Sequence, residues 1–175
     1  MCKDFLAFLP ARGRRVLDAG SGAGQNAAAL AEMGYEVIGA EPMTDFLNVA
    51  RSTYADRRIH WIQDGFPALS QLGNDSEQFD FILVEGVWHH LDEVERDYSL
   101  ARLAFLLTEG GCCAISLRNG PPGMGTHVYP TDAMHTIEQA RGFGLECVLR
   151  RENLPSILDG KENVIWSRLV FQKIK

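Results

Sequence analysis

The residues best placed to do chemistry in this 175-residue chain are acids that end apolar runs. Val16-Leu17 leads into Asp18, and Ala19-Gly20-Ser21-Gly22-Ala23-Gly24 follows at once. Glycines at 20, 22 and 24 let the backbone come close to a ligand and free N–H groups for an anionic group. Asp18 repels a pyrophosphate and attracts a cation. A second apolar run stops at Glu41, before Pro42 and Met43. A carboxylate there can accept from both hydroxyls of a sugar diol, each bond to the charged group contributing about 1.5–3 kcal/mol. By itself it would equally suit a helix cap. Asp64, ahead of Gly65 and Phe66, is a third acid of this kind, and Glu85-Gly86 a fourth. His89, His90 and Arg118 are the catalytic candidates, with Asn119, His127 and Tyr129 nearby. A histidine can take a proton near neutral pH. A guanidinium can fix a carboxylate or phosphate, or pair with a neighbouring acid. Trp88 and Met43 suit a core or a pocket wall, and His60 and His135 a surface.

These residues need a scaffold. The pattern predicts a short helix over 3–9 and strands over 14–19, 35–40, 58–63, 79–85 and 112–118, with a hairpin of 145–151 and 163–173. Helices are expected from the glycine loop to Gly34, over 43–52, over 93–107 and from Thr131 to about 142. Asp92 and Glu95 read as a capping box. Val94, Tyr98, Ala101 and Phe105 carry the helical spacing of 93–107. Gly110-Gly111 is expected to end that helix, 66–76 to be a loop or short helix, and 119–130 a Gly/Pro-rich loop. Strands that alternate with helices predict an α/β, Rossmann-like, doubly wound fold. Its sheet has seven mostly parallel strands, with an antiparallel last strand and helices on both faces. The ligand belongs at the carboxyl ends of the strands, beside the first.

Composition sets bounds. The length fits a single domain, 1–175, and 46% hydrophobic with 23% charged residues fits a globular chain. A net charge of −6 argues against a nucleic-acid surface. No apolar run is long enough for a membrane span. Cys2, Cys112, Cys113 and Cys147 form no CxxC, which fits reduced thiols in a cytoplasmic protein. No metal-ligand spacing is present.

The glycine spacing bears on the nucleotide. A G-x-G-x-x-G fingerprint begun at Gly20 would need glycine at Gln25; begun at Gly22 it starts too deep in the loop. VLDAGSGAG, with Asp18 to Gly24, instead resembles the first motif of the class I S-adenosylmethionine-dependent methyltransferases. Glu41-Pro42-Met43 resembles the family's ribose-binding acid and its followers. Gln63-Asp64-Gly65 sits where an acid caps the adenine. FDFILVEGVWHHL (79–91) resembles the fourth-strand segment of the small-molecule branch, and Thr108-Glu109-Gly110-Gly111 that branch's turn before strand five.

The resemblance implies S-adenosyl-L-methionine as cofactor and S-adenosyl-L-homocysteine as product. It implies a cofactor site of Asp18, Ala19, Gly20, Ser21, Gly22, Gly24, Glu41, Pro42, Met43, Asp64, Gly65, Phe66, Glu85 and Gly86, and in-line transfer to a small molecule. Asp18 would hold the cofactor's ammonium and Met43 would touch the adenine. The Asn-Pro-Pro-aromatic motif of base and glutamine methylation is absent. So are the paired-acid hairpin suited to arginine and an Asp-Asn magnesium set after strand five. A short N-terminal helix (1–12) leaves the 119–130 loop as the expected lid, unless a homodimer or a partner subunit closes the site. Two other readings stay open: a non-catalytic subunit or sensor that binds the same ligands, and an NAD(P)-binding oxidoreductase.

Overall fold

The computed structural model describes residues 1–73, 79–122, 127–156 and 160–174. The strands are β1 (Arg15–Ala19), β2 (Glu36–Ala40), β3 (Ile59–Ile62), β4 (Phe79–Val84), β5 (Leu107–Asn119), β6 (Leu145–Pro155) and β7 (Ile165–Lys173). The helices are α1 (Gln25–Glu32), α2 (Thr44–Thr53), α3 (Glu93–Leu106) and α4 (Ala133–Arg141). A two-turn 3₁₀ helix spans Lys3–Phe8, and single 3₁₀ turns span Ser70–Leu72 and Trp88–His90.

The strands form one sheet in the order β3-β2-β1-β4-β5-β7-β6. Strands β1 to β5 are parallel, and β7 runs antiparallel to both neighbours. Chain order reverses between β1 and β4, so a crevice opens there at the carboxyl ends. The predicted doubly wound sheet and its closing hairpin are therefore present.

Two apolar layers hold the sheet. One gathers Leu17, Ile82, Val84, Leu100, Leu103, Ile115 and Phe171; the other gathers Phe5, Val16, Leu30, Phe81, Leu83 and Val170. Alternate residues of β4 thus serve opposite faces, as a central parallel strand requires. Cys112 and Cys113 likewise fall in opposite layers. Ala27, Ala28 and Leu30 give α1 the small buried face that lets it lie close to the sheet.

Three details correct the expectations. The capping box of Asp92 and Glu95 is formed, but Val94 and Tyr98 are 63% and 67% exposed. The core face of α3 is Arg96, Ser99, Leu100, Leu103 and Ala104. The spacing identified the helix, while its apolar stripe points outward. Gly110-Gly111 does not end the helix; β5 begins directly at Leu107, and the glycines sit inside it where its pairing with β4 shifts register. Gly110 holds φ +74° at that irregularity. The cap of α4 is Asp132, whose carboxylate accepts the His135 N–H, rather than Thr131.

A candidate cofactor cleft

A cleft of about 690 Å³ lies at the switch point, lined by Gly20, Ser21, Gly22, Glu41, Met43 and Glu85 among others. That size suits a cofactor or small-molecule site. A larger groove of about 1030 Å³ lies at the opposite ends of β1 to β3, against Arg15, Glu36 and Arg58. It holds none of the acids singled out in the sequence, and parallel sheets bind ligands at the other end.

The loop after β1 is built by hydrogen bonds and close packing. Gly20 and Ser21 both donate their N–H to the Ala40 carbonyl, at 2.8 and 2.9 Å, tying the loop to the end of β2. Gly22 donates to Glu41 Oε2 and Gly24 to the Ser21 carbonyl. The expectation that these glycines free their N–H groups for a ligand is thus corrected: Gly20 and Gly22 donate to the end of β2 and to Glu41, and Gly24 donates within the loop. A Cβ at Gly20 would stand 2.3 Å from Val87 Cγ2. Gly24 caps α1 at φ +91°, and a Cβ there would meet Trp61 of β3 at 2.7 Å. Gly24 therefore serves packing and is absent from the cleft lining. At Gly22 and Gly86 a Cβ would meet nothing within 4 Å, so the backbone there borders open space.

Glu41 is the organising acid. It is only 6% exposed, and its two oxygens accept N–H groups from Gly22 and Met43, each at 2.9 Å. Those bonds fix the carboxylate plane at the floor of the cleft, and each oxygen keeps a second lone pair. Pro42, Met43, Phe46, Gly65 and Phe66 supply one wall. Met43 and Phe46 are 57% and 51% exposed and together present apolar surface to the cleft. Opposite, Asn26 Nδ2 donates to Glu85 Oε2 at 3.0 Å, and Gly86 donates its N–H to Ser116 Oγ at 2.8 Å.

Asp18 lies below the lining, 1% exposed. It accepts the Ala27 N–H, while its Oδ2 has no partner among the described residues. Burial, and then the charge of Glu85, pushes its carboxyl up to about 7. Ser21 Oγ is likewise buried and unpartnered. Ala19 is wholly buried.

Asp64 does not reach the cleft lining. Its oxygens accept N–H groups from Gly65, Ser70 and Gln71, so it caps the 3₁₀ turn that follows. His89 is 5% exposed, with its ring tilted at 44° against that of His90 at 4.1 Å and edge-on to Trp166. Burial holds its imidazole down to about 3, which leaves it neutral and weakly basic. His90 does line the cleft, with Nδ1 3.0 Å from the His127 carbonyl. Arg118 is buried and donates to the carbonyls of Gly120 and Pro121, and among the described residues it pairs with no acid.

Sequence reasoning missed Gln25, Asn26, Phe46, Val87 and Leu91 in the lining. Phe46 follows Met43 by one helical turn, a signal that was available. Val87 had none. Arg96 was missed too: from α3 it donates to the carbonyls of Trp88 and Pro130, holding the histidine turn against the 127–130 segment. Of the expected lid, 119–122 and 127–130 are described and 123–126 lie outside the described residues.

The profile of the methyltransferase domain family matches residues 16–111, more than half of the chain and all of the cleft-forming segments after β1 up to β5. The chain belongs to the methyltransferase domain family. This methyltransferase domain is 29% identical over 104 residues to methyltransferases of Mycobacterium bovis and Mycobacterium tuberculosis. That match covers 59% of this chain and 40% of each relative, so the chain spans about two fifths of their length. It is 32% identical over 110 residues to a ubiquinone biosynthesis O-methyltransferase of Rhizobium rhizogenes, covering 63% of this chain and 43% of that one. A SAM-dependent methyltransferase from Methanosarcina mazei superposes with a TM-score of 0.82 over 99% of this chain and 98% of the other, at 14% identity. Likeness at that identity speaks for the methyltransferase fold alone.

Proposed function

We propose that the chain transfers the methyl group of S-adenosylmethionine to a small molecule. The observation that carries this reading is Glu41, fixed by two backbone N–H groups at the floor of a cleft walled by Met43 and Phe46. A sugar diol on that carboxylate and an adenine between the apolar side chains use every one of those features. A buried carboxyl without a partner, Asp18, fits a cationic group nearby. When bound, S-adenosylmethionine supplies an electrophilic methyl on a positively charged sulfur, next to a ribose and an ammonium.

The chain's own residues then bind and orient. Glu41 grips the ribose hydroxyls, Gly22 and Gly86 leave room for close approach, and Asp18 balances the ammonium directly or through water. Ser21 Oγ offers a further polar contact. Asp64 supports the adenine wall by holding Gly65 and the turn after it. Val87 and Leu91 add apolar surface to the lining. In-line transfer then needs proximity more than covalent help from the protein.

Titration calorimetry with S-adenosylmethionine, S-adenosylhomocysteine and NAD tests the reading. Both sulfur ligands are expected to bind and NAD is not. Glu41→Ala should weaken binding at least tenfold, the equivalent of about 1.4 kcal/mol. Unchanged affinity in that variant would remove Glu41 from the site, and NAD binding would move the domain to the oxidoreductase reading.

A further inference from the structure

Behind the cleft lies a second cavity of about 320 Å³, walled by Met1, Glu85, Ser116, Pro155, Trp166 and Arg168. Among the described residues, Glu85 is the one that lines both spaces. We infer that this cavity receives the methyl acceptor, and that the acceptor is a small amine whose nitrogen is held by Glu85. The inference rests on the reading of the cleft as an S-adenosylmethionine site, and it replaces the 119–130 loop with the N-terminal segment and the β6–β7 end as the walls around the acceptor.

Position comes first. The reacting atoms must approach to about 3 Å, so the acceptor has to stand at the boundary between the two spaces, which is Glu85. One oxygen of Glu85 is taken by Asn26 Nδ2; Oε1 accepts nothing from the described residues. An ionised carboxylate only accepts, so its partner must donate an N–H or O–H.

Charge narrows the class. Asp18, Glu41 and Glu85 gather on one side, near enough for Asp18 to feel both of the others. The cation at the cavity wall, Arg168, is ion-paired to Asp4. Arg118 is turned to its own loop carbonyls. A carboxylate or phosphate acceptor would face acids with its natural cations already engaged. A nitrogen compound meets attraction, and Trp166 adds an aromatic wall suited to an ammonium product.

Proton chemistry separates nitrogen from oxygen. A hydroxyl acceptor must lose its proton to a base as it attacks. His89 is buried, neutral and absent from both linings, and His90 lines the cofactor cleft but not the acceptor cavity. An amine that enters as its ammonium first gives that proton to water, and the neutral amine then attacks with no base needed in the methyl-transfer step. Its lone pair forms the C–N bond while the C–S bond breaks with its electron pair left on sulfur. The products are a neutral thioether and a methylammonium, which later yields its extra proton to water. Positive charge grows on the nitrogen beside Glu85, where a fixed carboxylate stabilises it.

The test uses the full chain and a panel of small primary amines, with matched alcohols and carboxylates of the same carbon skeletons. Binding is read by ligand-observed NMR in the presence of S-adenosylhomocysteine, and transfer by tritiated methyl at saturating S-adenosylmethionine. Amines are expected to bind and to carry the label on nitrogen. Glu85→Gln should weaken amine binding tenfold or more and slow transfer on the order of 100-fold, with partial rescue in Glu85→Asp. Label on alcohols or carboxylates, preferential binding of those classes, amine binding that is indifferent to Glu85→Gln, or no acceptor bound by a cofactor-binding chain would each overturn the inference. Failure of the cofactor to bind at all would instead strike the methyltransferase reading, which the calorimetry reads separately.

Discussion

Asp18 and His89 are both buried, and burial moves their pKa values in opposite directions. Burial, with Glu85 adding to it, pushes Asp18 up to about 7. In the unfolded chain a carboxyl ionises near 4. Between about pH 4 and 7 the folded chain therefore keeps a proton that the unfolded chain has lost, and stability falls as pH rises through that window. His89 is held down to about 3 by burial. As pH drops below about 6.5 the unfolded chain takes up a proton that the folded chain refuses, so stability is lost toward acid. The two slopes oppose each other between about pH 4 and 6.5 and leave Asp18 alone just above it. Asp18→Asn removes the first slope. Chemical denaturation of the ligand-free chain should show the variant gaining on the parent as pH rises from 4 to 7, by up to about 1.4 kcal/mol per pH unit. The same variant should bind S-adenosylmethionine more weakly. Parallel pH profiles for variant and parent would show that Asp18 carries no such cost.

At the level of elements, helix termini and one strand irregularity do most to set the site. The capping box of α3 starts the helix directly after the histidine turn: Asp92 accepts from Glu95 N at 2.8 Å and Glu95 from Asp92 N at 2.9 Å. Removing it with Asp92→Ala should cost about 1 kcal/mol and lower the thermal midpoint by about 2–4 °C. A scanning calorimetry trace unchanged from the parent would mean that tertiary contacts alone define that end. The box was legible because it is a local pattern of two residues. The outward stripe of α3 was not, because a helix can turn either apolar set inward, and β4 and β5 chose Leu100 and Leu103. Gly110-Gly111 misled for a similar reason. Two glycines read as a stop, yet strand pairing with Phe79 and Phe81 overrode that local preference and placed them inside β5.

Across the whole molecule, the first residues close on the last strands. Asp4 accepts from Arg151 of β6 at 2.9 Å and from Arg168 of β7. Arg168, followed by Arg151, holds the Asp4 carboxyl below its usual range, so this clamp is present above the ordinary carboxylate pKa and fades as pH falls through the lowered one. The 3₁₀ helix of Lys3–Phe8 also buries Phe5 in the second apolar layer. With Asp4→Ala, hydrogen exchange at residues 3–8 should speed up while the amides of β4 keep their protection, since the core strands open last. Equal protection of residues 3–8 in both proteins would show that Phe5 suffices. No helix among the described residues is long and apolar enough to cross a membrane.

By themselves, the residues from Arg14 to Met43 determined the βαβ unit, the glycine loop and the acid at the end of β2, because strand and helix periods and turn residues act within about thirty positions. Only the tertiary structure decided how those parts are used. It turned the loop N–H groups onto Ala40 and Glu41, gave Gly24 to Trp61, Asp64 to its own turn and Arg118 to its own loop, and set Glu85 between two spaces. Each of those outcomes is a contact between distant segments, and distance along the chain says nothing about which donor a buried acceptor will meet once the sheet has closed.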